Sequence, residues 1–252
     1  MKLLLVNDDG FDSPALHALC AAAAKRGHRV TVCAPMQQQS GKSHSFTIFD
    51  PVRVRPRSMD GADTAWGIEG TPVDCTRLGL AALTDRVDLV ISGINAGHNA
   101  GLATYVSGTV GAAREAAFHG VRAMAVSLSF AASPDVIAWA ADWTVRAAEA
   151  VLDLAWPTAA VLNLNLPAVP HGEVQPPVYA PISLHLYDGE YEKRVSPRGD
   201  LYYWLKFETP DAAPEPESDI ARLQQNHITC TWLVPGAVQA DAALVEKLKS
   251  IE

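Results

Sequence analysis

The chain of 252 residues is poor in cysteine, in basic residues and in long apolar segments. Its four cysteines are scattered, without the paired spacing of zinc sites or redox motifs, so we expect buried thiols in a cytoplasmic protein. No apolar run reaches the length of a membrane span, and the first run is cut short by Asn7, Asp8 and Asp9 before it could form a signal peptide. We therefore expect no membrane partner.

Basic residues are too few for a surface that binds long nucleic acids. The chain has 20 lysines and arginines against 28 aspartates and glutamates, which gives a formal net charge of −8. Because a long polyanion is bound by a basic face, we expect no long nucleic acid as a partner. A small phosphorylated substrate remains compatible with this charge, since a few local donors can outweigh the global field.

Several common catalytic motifs are also missing. There is no Gly-x-x-x-x-Gly-Lys-Ser/Thr loop and no Gly-x-Gly-x-x-Gly after the first strand, so the usual nucleoside triphosphate and dinucleotide motifs are absent. The Gly-x-Ser-x-Gly motif of serine hydrolases is absent as well. The neighbouring Asp8 and Asp9 lack the one-residue spacing of an aspartyl-phosphate phosphatase.

The first 160 residues alternate between short apolar runs and helix-like stretches. This alternation predicts an α/β fold, a Rossmann-like, mostly parallel sheet with helices on both faces. The predicted strands cover residues 2–6, 29–34, 52–55, 87–92, 123–129 and 162–166, and the predicted helices cover 14–26, 71–83, 110–119 and a long segment from Ser133.

Prolines and aromatic residues replace this regular pattern beyond residue 160. Residues 178–203 combine aromatics with short alternations, which is typical of β-hairpins. We therefore predict two domains. The first, 1–160, is a Rossmann-like core with a metal site, and the second, 161–252, is a C-terminal extension with strands, hairpins that support oligomerisation and a final helix.

Two adjacent carboxylates, Asp8 and Asp9, end the first predicted strand. Neighbouring side chains of a strand point to opposite faces, so these two converge only if the chain turns, and Gly10 permits that turn. Converging carboxylates repel each other unless a cation lies between them, and hard oxygen ligands suit Mg²⁺, Mn²⁺ or Ca²⁺. A solvated Asn-Asp-Asp-Gly turn is the alternative interpretation.

Two further strand ends carry oxygen ligands. Ser40 follows the second predicted strand, and Asn95 follows the strand over 87–92. Ligands bind at the carboxyl ends of the strands in an open parallel sheet, so we expect these residues near Asp8 and Asp9. Together the four residues predict a site for one divalent ion, Mg²⁺ or Mn²⁺, with water in the remaining positions.

The segment from Ser107 to Thr109 begins the next helix. Free amides at a helix start, small residues and two hydroxyls form an anion site, although an unliganded N-cap has the same sequence. Beside a metal site we predict that Ser107, Gly108 and Thr109, with Asn99, bind phosphate. Metal and phosphate together indicate ester hydrolysis by a metal-activated water, with Asp8 or Asp9 as the group that takes its proton.

Four other residues are further candidates for the site. Lys42, Ser43 and His44 lie on the loop after Ser40, which could close over substrate phosphate or stay solvated. His98 could donate to phosphate or shuttle a proton, and a structural hydrogen bond is the alternative.

Several motifs together resemble the stationary-phase survival protein SurE family of metal-dependent nucleotidases. The resemblance extends in order along the chain to about Trp232. Its motifs are Asn7-Asp8-Asp9-Gly10, Ala34-Pro35 with Gln39-Ser40-Gly41, Gly70-Thr71-Pro72-Val73-Asp74-Cys75, and the segments 92–99, 107–110, 163–167, 197–199 and 202–204.

The resemblance implies a 5′- and 3′-nucleotidase that acts on nucleoside monophosphates, with further activity on short polyphosphate. It also implies metal ligands at Asp8, Asp9, Ser40 and Asn95, and a homodimer or homotetramer in which C-terminal hairpins exchange. The chain departs from the family pattern at Val106, where a Tyr is usual, and at Trp232. A broad phosphatase or exopolyphosphatase and a non-catalytic nucleotide-binding module are the alternatives.

Overall fold

The computed structural model describes residues 1–184, 189–207 and 213–236. The strands are β1 (Lys2–Val6), β2 (Arg29–Pro35), β3 (Arg53–Arg57), β4 (Thr64–Glu69), β5 (Leu89–Ala96), β6 (Arg122–Leu128), β7 (Val161–Leu166), β8 (Gln175–Tyr179), β9 (Gly189–Val195), β10 (Leu201–Phe207) and β11 (His227–Leu233). The helices are α1 (Pro14–Lys25), α2 (Pro72–Leu78), α3 (Ala103–Val106), α4 (Gly108–Phe118), α5 (Pro134–Val151) and α6 (Asp219–Gln224).

Nine of these strands form one sheet, in the order β3-β4-β2-β1-β5-β6-β7-β11-β8. The pairs from β4 to β7 are all parallel, while β3 and β11 run antiparallel to their neighbours β4 and β7. β9 and β10 form a separate antiparallel hairpin. The predicted fold class, a mostly parallel α/β sheet with an added β-hairpin, is confirmed.

The alternating side chains of β1 explain why helices cover both faces of the sheet. Leu3 and Leu5 belong to a buried cluster with residues of α1 and α5. Leu4 and Val6 belong to a second cluster with residues of α2 and α4. A strand that is apolar on both faces must be covered on both, as is usual for the central strand of a parallel sheet.

Four of the six described helices, α2, α4, α5 and α6, begin at a residue whose side chain caps the helix. The hydroxyls of Ser107, Ser133 and Ser218 each accept a hydrogen bond from the amide three residues later. Thr71 and Asp74 form a reciprocal capping box at the start of α2. These caps fix the first turn of each helix.

The helix predicted over 71–83 differs from the observed structure in its second half. The α-helix ends at Leu78, and Gly79–Leu83 continues as a π-helical turn. Gly79 packs closely on β1, since a Cβ at this position would lie 2.7 Å from Leu4 Cδ2. The sequence pattern also fails to indicate β4, whose central Gly67 interrupts the apolar alternation.

The predicted boundary between residues 160 and 161 falls inside the nine-stranded sheet, because β7 pairs with β6. β8 and β11 extend the same sheet, so the segment after residue 160 supplies three strands to it. The division into two domains stays a prediction, and the predicted final helix lies outside the described residues. Within the described ranges, no helix is long and apolar enough to span a membrane.

Candidate functional site

The site predicted at Asp8 and Asp9 lies where the direction of strand addition reverses. β1 pairs with β2 on one side and with β5 on the other. The chain leaves β1 towards β2 and β4 and later returns to add β5 on the opposite side of β1. Such a switch point leaves a crevice at the carboxyl ends of the strands, where ligands bind in open α/β sheets.

A tight turn follows β1 and determines where the two carboxylates lie. The Asn7 side chain is fully buried, and its Nδ2 donates to Gly10 O at 2.8 Å. The Gly10 N–H donates back to Asn7 Oδ1 at 3.3 Å. Gly10 has a φ of +105°, in the region that favours glycine. Asn7 therefore shapes the turn, and the adjacent carboxylates are left for other contacts.

Asp8 is buried against the start of α4. Its side chain is 3% exposed, and its Oδ1 accepts a hydrogen bond from Thr109 Oγ1 at 2.5 Å. Gly108 allows this approach, because a Cβ there would lie 2.9 Å from Asp8 Oδ2. Burial raises the pKa of Asp8, and the hydrogen bonds from the hydroxyl and amide of Thr109 oppose this rise.

Asp9 lies at the edge of the crevice and contacts the end of β5. Its Oδ2 accepts from the Ala96 N–H at 2.9 Å. Burial raises the pKa of Asp9 to about 6, with a smaller contribution from the negative charge of Asp8, while the bond from Ala96 acts in the opposite direction. The carboxylate therefore lies close to Asn95, the residue that precedes Ala96.

Ser40 reaches the same place on the loop after β2. The N–H of the preceding residue, Gln39, donates to the backbone oxygen of Asp8 at 2.7 Å. Ser40 is exposed, and its hydroxyl accepts from Gln38 Nε2 at 3.3 Å. The backbone contact brings the loop, and Ser40 with it, alongside the carboxylate turn.

Asn95 is buried at the end of β5, and the structure orients its amide. The side-chain Nδ2 donates to Gly97 O at 2.6 Å. This bond uses the donor end of the amide and leaves the Oδ1 atom as an acceptor. The Oδ1 atom of Asn95 therefore remains available as an acceptor beside Asp9, and it is the kind of oxygen that a hard cation prefers.

The four residues fit a divalent cation by their chemistry. The atoms that would coordinate the cation are all oxygens. Within the described part of the chain, neither Asp8 nor Asp9 forms an ion pair with lysine or arginine. Two partly buried carboxylates without a basic partner are costly to keep ionised, and a cation would offset that cost. Clusters of three or more His, Cys, Asp or Glu side chains suited to a metal are absent from the described residues. The predicted set contains only two such side chains.

The start of α4 lies beside the carboxylates, and some of its hydrogen-bond donors already have partners. Ser107 Oγ accepts from the Val110 N–H at 3.1 Å, and the Thr109 hydroxyl is bonded to Asp8. Among the described residues the Gly108 N–H has no hydrogen-bond partner. The predicted phosphate segment is therefore next to the predicted metal ligands, and both the Gly108 amide and the Ser107 hydroxyl proton are available to donate to an anion.

Asn99 and His98 are held in structural hydrogen bonds. Asn99 Nδ2 donates to Ser127 Oγ at 2.9 Å, and its backbone bonds to the side chains of Asn163 and Asn165. His98 Nε2 donates to the Leu166 carbonyl at 2.8 Å, and burial lowers the pKa of His98. Both residues tie the loop after β5 to neighbouring strands, so their predicted roles towards phosphate have no direct support from these contacts.

The loop residues Lys42, Ser43 and His44 lie over the first turns of α4. Ser43 donates from its N–H to Val106 O at 3.0 Å, and His44 Nε2 donates to Glu115 Oε2 at 2.7 Å. Lys42 is exposed. The structure thus brings this loop close to the phosphate segment, with His44 turned towards α4.

Two clefts border the carboxylate turn. One, of about 400 Å³, is lined by Asp9 with residues of the two loops that follow β1 and β2. The other, of about 580 Å³, lies between Met36, Gln37 and Gln39 on one side and Glu69, Gly70 and Thr71 on the other. Both volumes are in the range of small-molecule sites, and Asp9 opens into the first.

Two buried carboxylates near the site are not among the predicted site residues, although one of them, Asp74, lies within a motif of the family pattern. Glu115 is a buried carboxylate on α4, and Asp74 is a buried carboxylate at the start of α2. A charged residue inside the alanine-rich face of a predicted helix is the signal that identifies Glu115, since such a residue must find partners when buried.

Comparisons with known proteins identify the family of this chain. A family model described as "Survival protein SurE" matches residues 3–188. The 5′-nucleotidase SurE of Desulfovibrio desulfuricans is 44% identical over 239 residues, which are 92% of each chain. That of Moorella thermoacetica is 38% identical over 235 residues, 92% of this chain and 90% of the relative.

Among solved structures, the chain is similar to the crystal structure of the SurE protein from Aquifex aeolicus. The TM-score is 0.77 at 30% sequence identity, over 100% of this chain and 98% of that one. The match thus includes the hairpin and the strands after residue 160. On the family model, the identities and their coverage, this chain belongs to the SurE family, as its motifs predict.

Proposed function

We propose that this chain is a divalent-metal-dependent phosphomonoesterase that hydrolyses nucleoside 5′-monophosphates, and also 3′-monophosphates, to nucleoside and phosphate. The observation that carries the proposal is the pair of the buried Asp8 and the partly buried Asp9, which lie next to the start of α4 and form no ion pair with a basic side chain among the described residues. The name 5′-nucleotidase, which the relatives carry, supports the class of reaction and substrate.

Asp8, Asp9, Ser40 and Asn95 would hold one divalent ion per subunit, Mg²⁺ or Mn²⁺. When bound, such an ion polarises a phosphoryl oxygen and lowers the pKa of a bound water. The oxygen-only donor set supports these hard cations over softer metals.

The protein's own groups would orient the substrate phosphate and move the proton. The free Gly108 amide, at the positive end of the α4 dipole, would donate to a phosphate oxygen. Asp9 lines the cleft, whereas Asp8 is buried and bonded to Thr109, so we assign to Asp9 the proton taken from the attacking water. Asp8 would then act mainly to hold the ion close to the start of α4.

We also propose a homodimer or homotetramer in which the β9–β10 hairpins exchange between subunits. A two-stranded hairpin alone is marginally stable, and this one exposes Tyr191, Tyr203 and Trp204. Measurement of the solution mass by light scattering tests the oligomer. A monomer at micromolar concentration would contradict it.

A cytoplasmic location is a further part of the proposal. All four cysteines are free thiols, and Cys20, Cys33 and Cys75 are buried. Secreted proteins more often join their cysteines in disulfides, so these free thiols support a reducing compartment.

The activity is tested by measuring phosphate release from nucleotides, sugar phosphates and short polyphosphates, with chelator and with added Mg²⁺ or Mn²⁺. We expect kcat/KM to be highest for nucleoside monophosphates and to vanish with chelator. Folded Asp8→Asn and Asp9→Asn variants should lose at least about a hundredfold of kcat. Equal kcat/KM for sugar phosphates would favour a broad phosphatase, and nucleotide binding without phosphate release would favour a binding module.

A further inference from the structure

The segment of residues 41–47, here called the anchor segment, follows Ser40 and lies against the short helix α3 and against α4. Ser43 donates from its N–H to Val106 O at 3.0 Å and from its hydroxyl to Tyr105 O at 2.7 Å. Its carbonyl is so close to Gly111 that a Cβ on Gly111 would clash with it. The backbone therefore rests on the helix whose first turn contacts Asp8.

Glu115 forms the centre of a hydrogen-bond cluster beneath the anchor segment. The residue is 4% exposed, and its Oε2 accepts from His44 Nε2 at 2.7 Å. Its Oε1 accepts from Arg77 Nη1 of α2 at 2.9 Å and from Nε2 of His119, the residue that follows α4, at 3.1 Å. A buried carboxylate needs such donors, and of these three only His44 belongs to the anchor segment.

The far end of the anchor segment is held by the motif Gly70–Cys75, which has no part in the predicted chemistry. Thr71 Oγ1 donates to Ser45 O at 2.8 Å. Asp74 accepts from the Thr47 N–H at 2.9 Å and from the Thr47 hydroxyl at 2.7 Å. Thr71 and Asp74 also form the capping box of α2, so the helix start and the loop are built from the same two side chains.

We propose that His44 and Glu115 are positioning residues, which lock the anchor segment onto α4 and so fix Ser40 relative to the first turn of that helix. At its other end the loop is held by the bond from Gln39 N to Asp8 O. With both ends fixed, Ser40 has little freedom to move away from Asp8. As far as catalysis is concerned, this inference rests on the proposed function, whereas the anchoring exists in the free protein.

The test compares His44→Ala and His44→Gln with a matched control, His119→Ala. His119 contacts the same carboxylate, but it lies at the end of α4, outside the anchor segment, and its side chain is half exposed, so its removal should leave the anchor segment in place. The first measurement is amide hydrogen exchange in the metal-free, substrate-free protein. In His44→Ala we expect the amides of Ser43 and Thr47 to exchange about tenfold faster, while the α4 amides keep the wild-type rate.

Two further measurements test whether the anchor segment affects the predicted cation site. In His44→Ala, calorimetry should give a Mn²⁺ dissociation constant about tenfold higher, and KM for adenosine 5′-monophosphate should rise more than kcat falls. Gln can donate to Glu115 through its amide, so His44→Gln should recover most of the exchange protection and of the Mn²⁺ affinity. His119→Ala should match the wild type in all three measurements.

Wild-type exchange rates for Ser43 and Thr47 in His44→Ala would overturn the inference, and so would equal effects in His119→Ala. A faster-exchanging segment with unchanged Mn²⁺ affinity and unchanged KM would overturn the link to Ser40. If the wild-type protein releases no phosphate from nucleotides, the proposed function fails. The exchange and Mn²⁺ measurements still decide whether His44 positions the loop.

Discussion

Thr109 Oγ1 donates a 2.5 Å hydrogen bond to Asp8 Oδ1, and this bond joins the start of α4 to the end of β1. It is buried, and it is a bond from a neutral donor to an ionisable acceptor. The hydroxyl therefore sets the orientation of the carboxylate and also limits the rise in its pKa.

Replacing Thr109 with Val should reduce kcat/KM for nucleoside 5′-monophosphates by at least about tenfold, because a hydrogen bond to a charged group contributes roughly 1.5–3 kcal/mol. Val preserves the shape of the side chain, so the melting temperature separates lost activity from lost folding. Thr109→Ser retains the hydroxyl and should keep most of the activity. Full activity in Thr109→Val would show that Asp8 does not need this donor.

Divalent-metal affinity should depend on pH through Asp9. Burial raises the pKa of Asp9 to about 6, so protons compete with the metal below that pH. Above pH 6 the carboxylate is ionised and the affinity levels off, whereas below it we expect a loss of about tenfold per pH unit for each proton displaced. Calorimetric titration with Mn²⁺ from pH 5 to pH 8 checks this. A flat affinity across that range would contradict it.

Gly111→Ala should lower activity although it favours the helix. Ala is better than Gly inside a helix by about 1 kcal/mol, so an isolated α4 would gain stability. At this position, however, the added Cβ meets the Ser43 carbonyl, and we expect the anchor segment to move and kcat/KM to fall. Gly172→Ala, where a Cβ has no neighbour within 4 Å, is the matched control. Thermal melting together with kinetics distinguishes the two effects.

Glu149 should contribute a pH-dependent part of the stability. Its pKa is lowered mainly by the bond from Arg26, with a smaller effect from His28. A lowered pKa means that this stability is present above the ordinary value of 4.5 and is lost as the pH falls through the folded-state value. Glu149→Gln should reduce the unfolding free energy by less than about 1 kcal/mol at pH 7. Urea unfolding at pH 7 and pH 3 should show a larger difference between wild type and variant at the higher pH.

The strand ends are the part of the site that follows most directly from the sequence. Asp8, Ser40 and Asn95 each follow an apolar run, and in a parallel sheet such residues meet at one edge. Their backbone neighbours indeed make contacts there, from Gln39 to Asp8 and from Ala96 to Asp9. Local pattern is sufficient here because the fold itself brings the positions together.

The remaining features depend on contacts that local pattern does not encode. The role of Asn99 is decided by Ser127 and Asn165, which lie on strands far along the chain. A charge inside the alanine-rich helix marks Glu115 in the sequence, but its partners His44 and Arg77 become known only from the structure. In the same way β4, with Gly67 at its centre, is a strand because β2 and β3 pair with it on either side.

The position of β1 between β2 and β5 also has a consequence for folding. The proposed cation ligands follow or lie on β1, β2 and β5. Neither the β1–β2 pair nor the β5–β6 pair alone therefore contains the full set. If these residues bind the ion, a refolding chain would regain Mn²⁺ binding only after β5 has docked beside β1. The time at which Mn²⁺ affinity returns during refolding would therefore show when β5 pairs with β1.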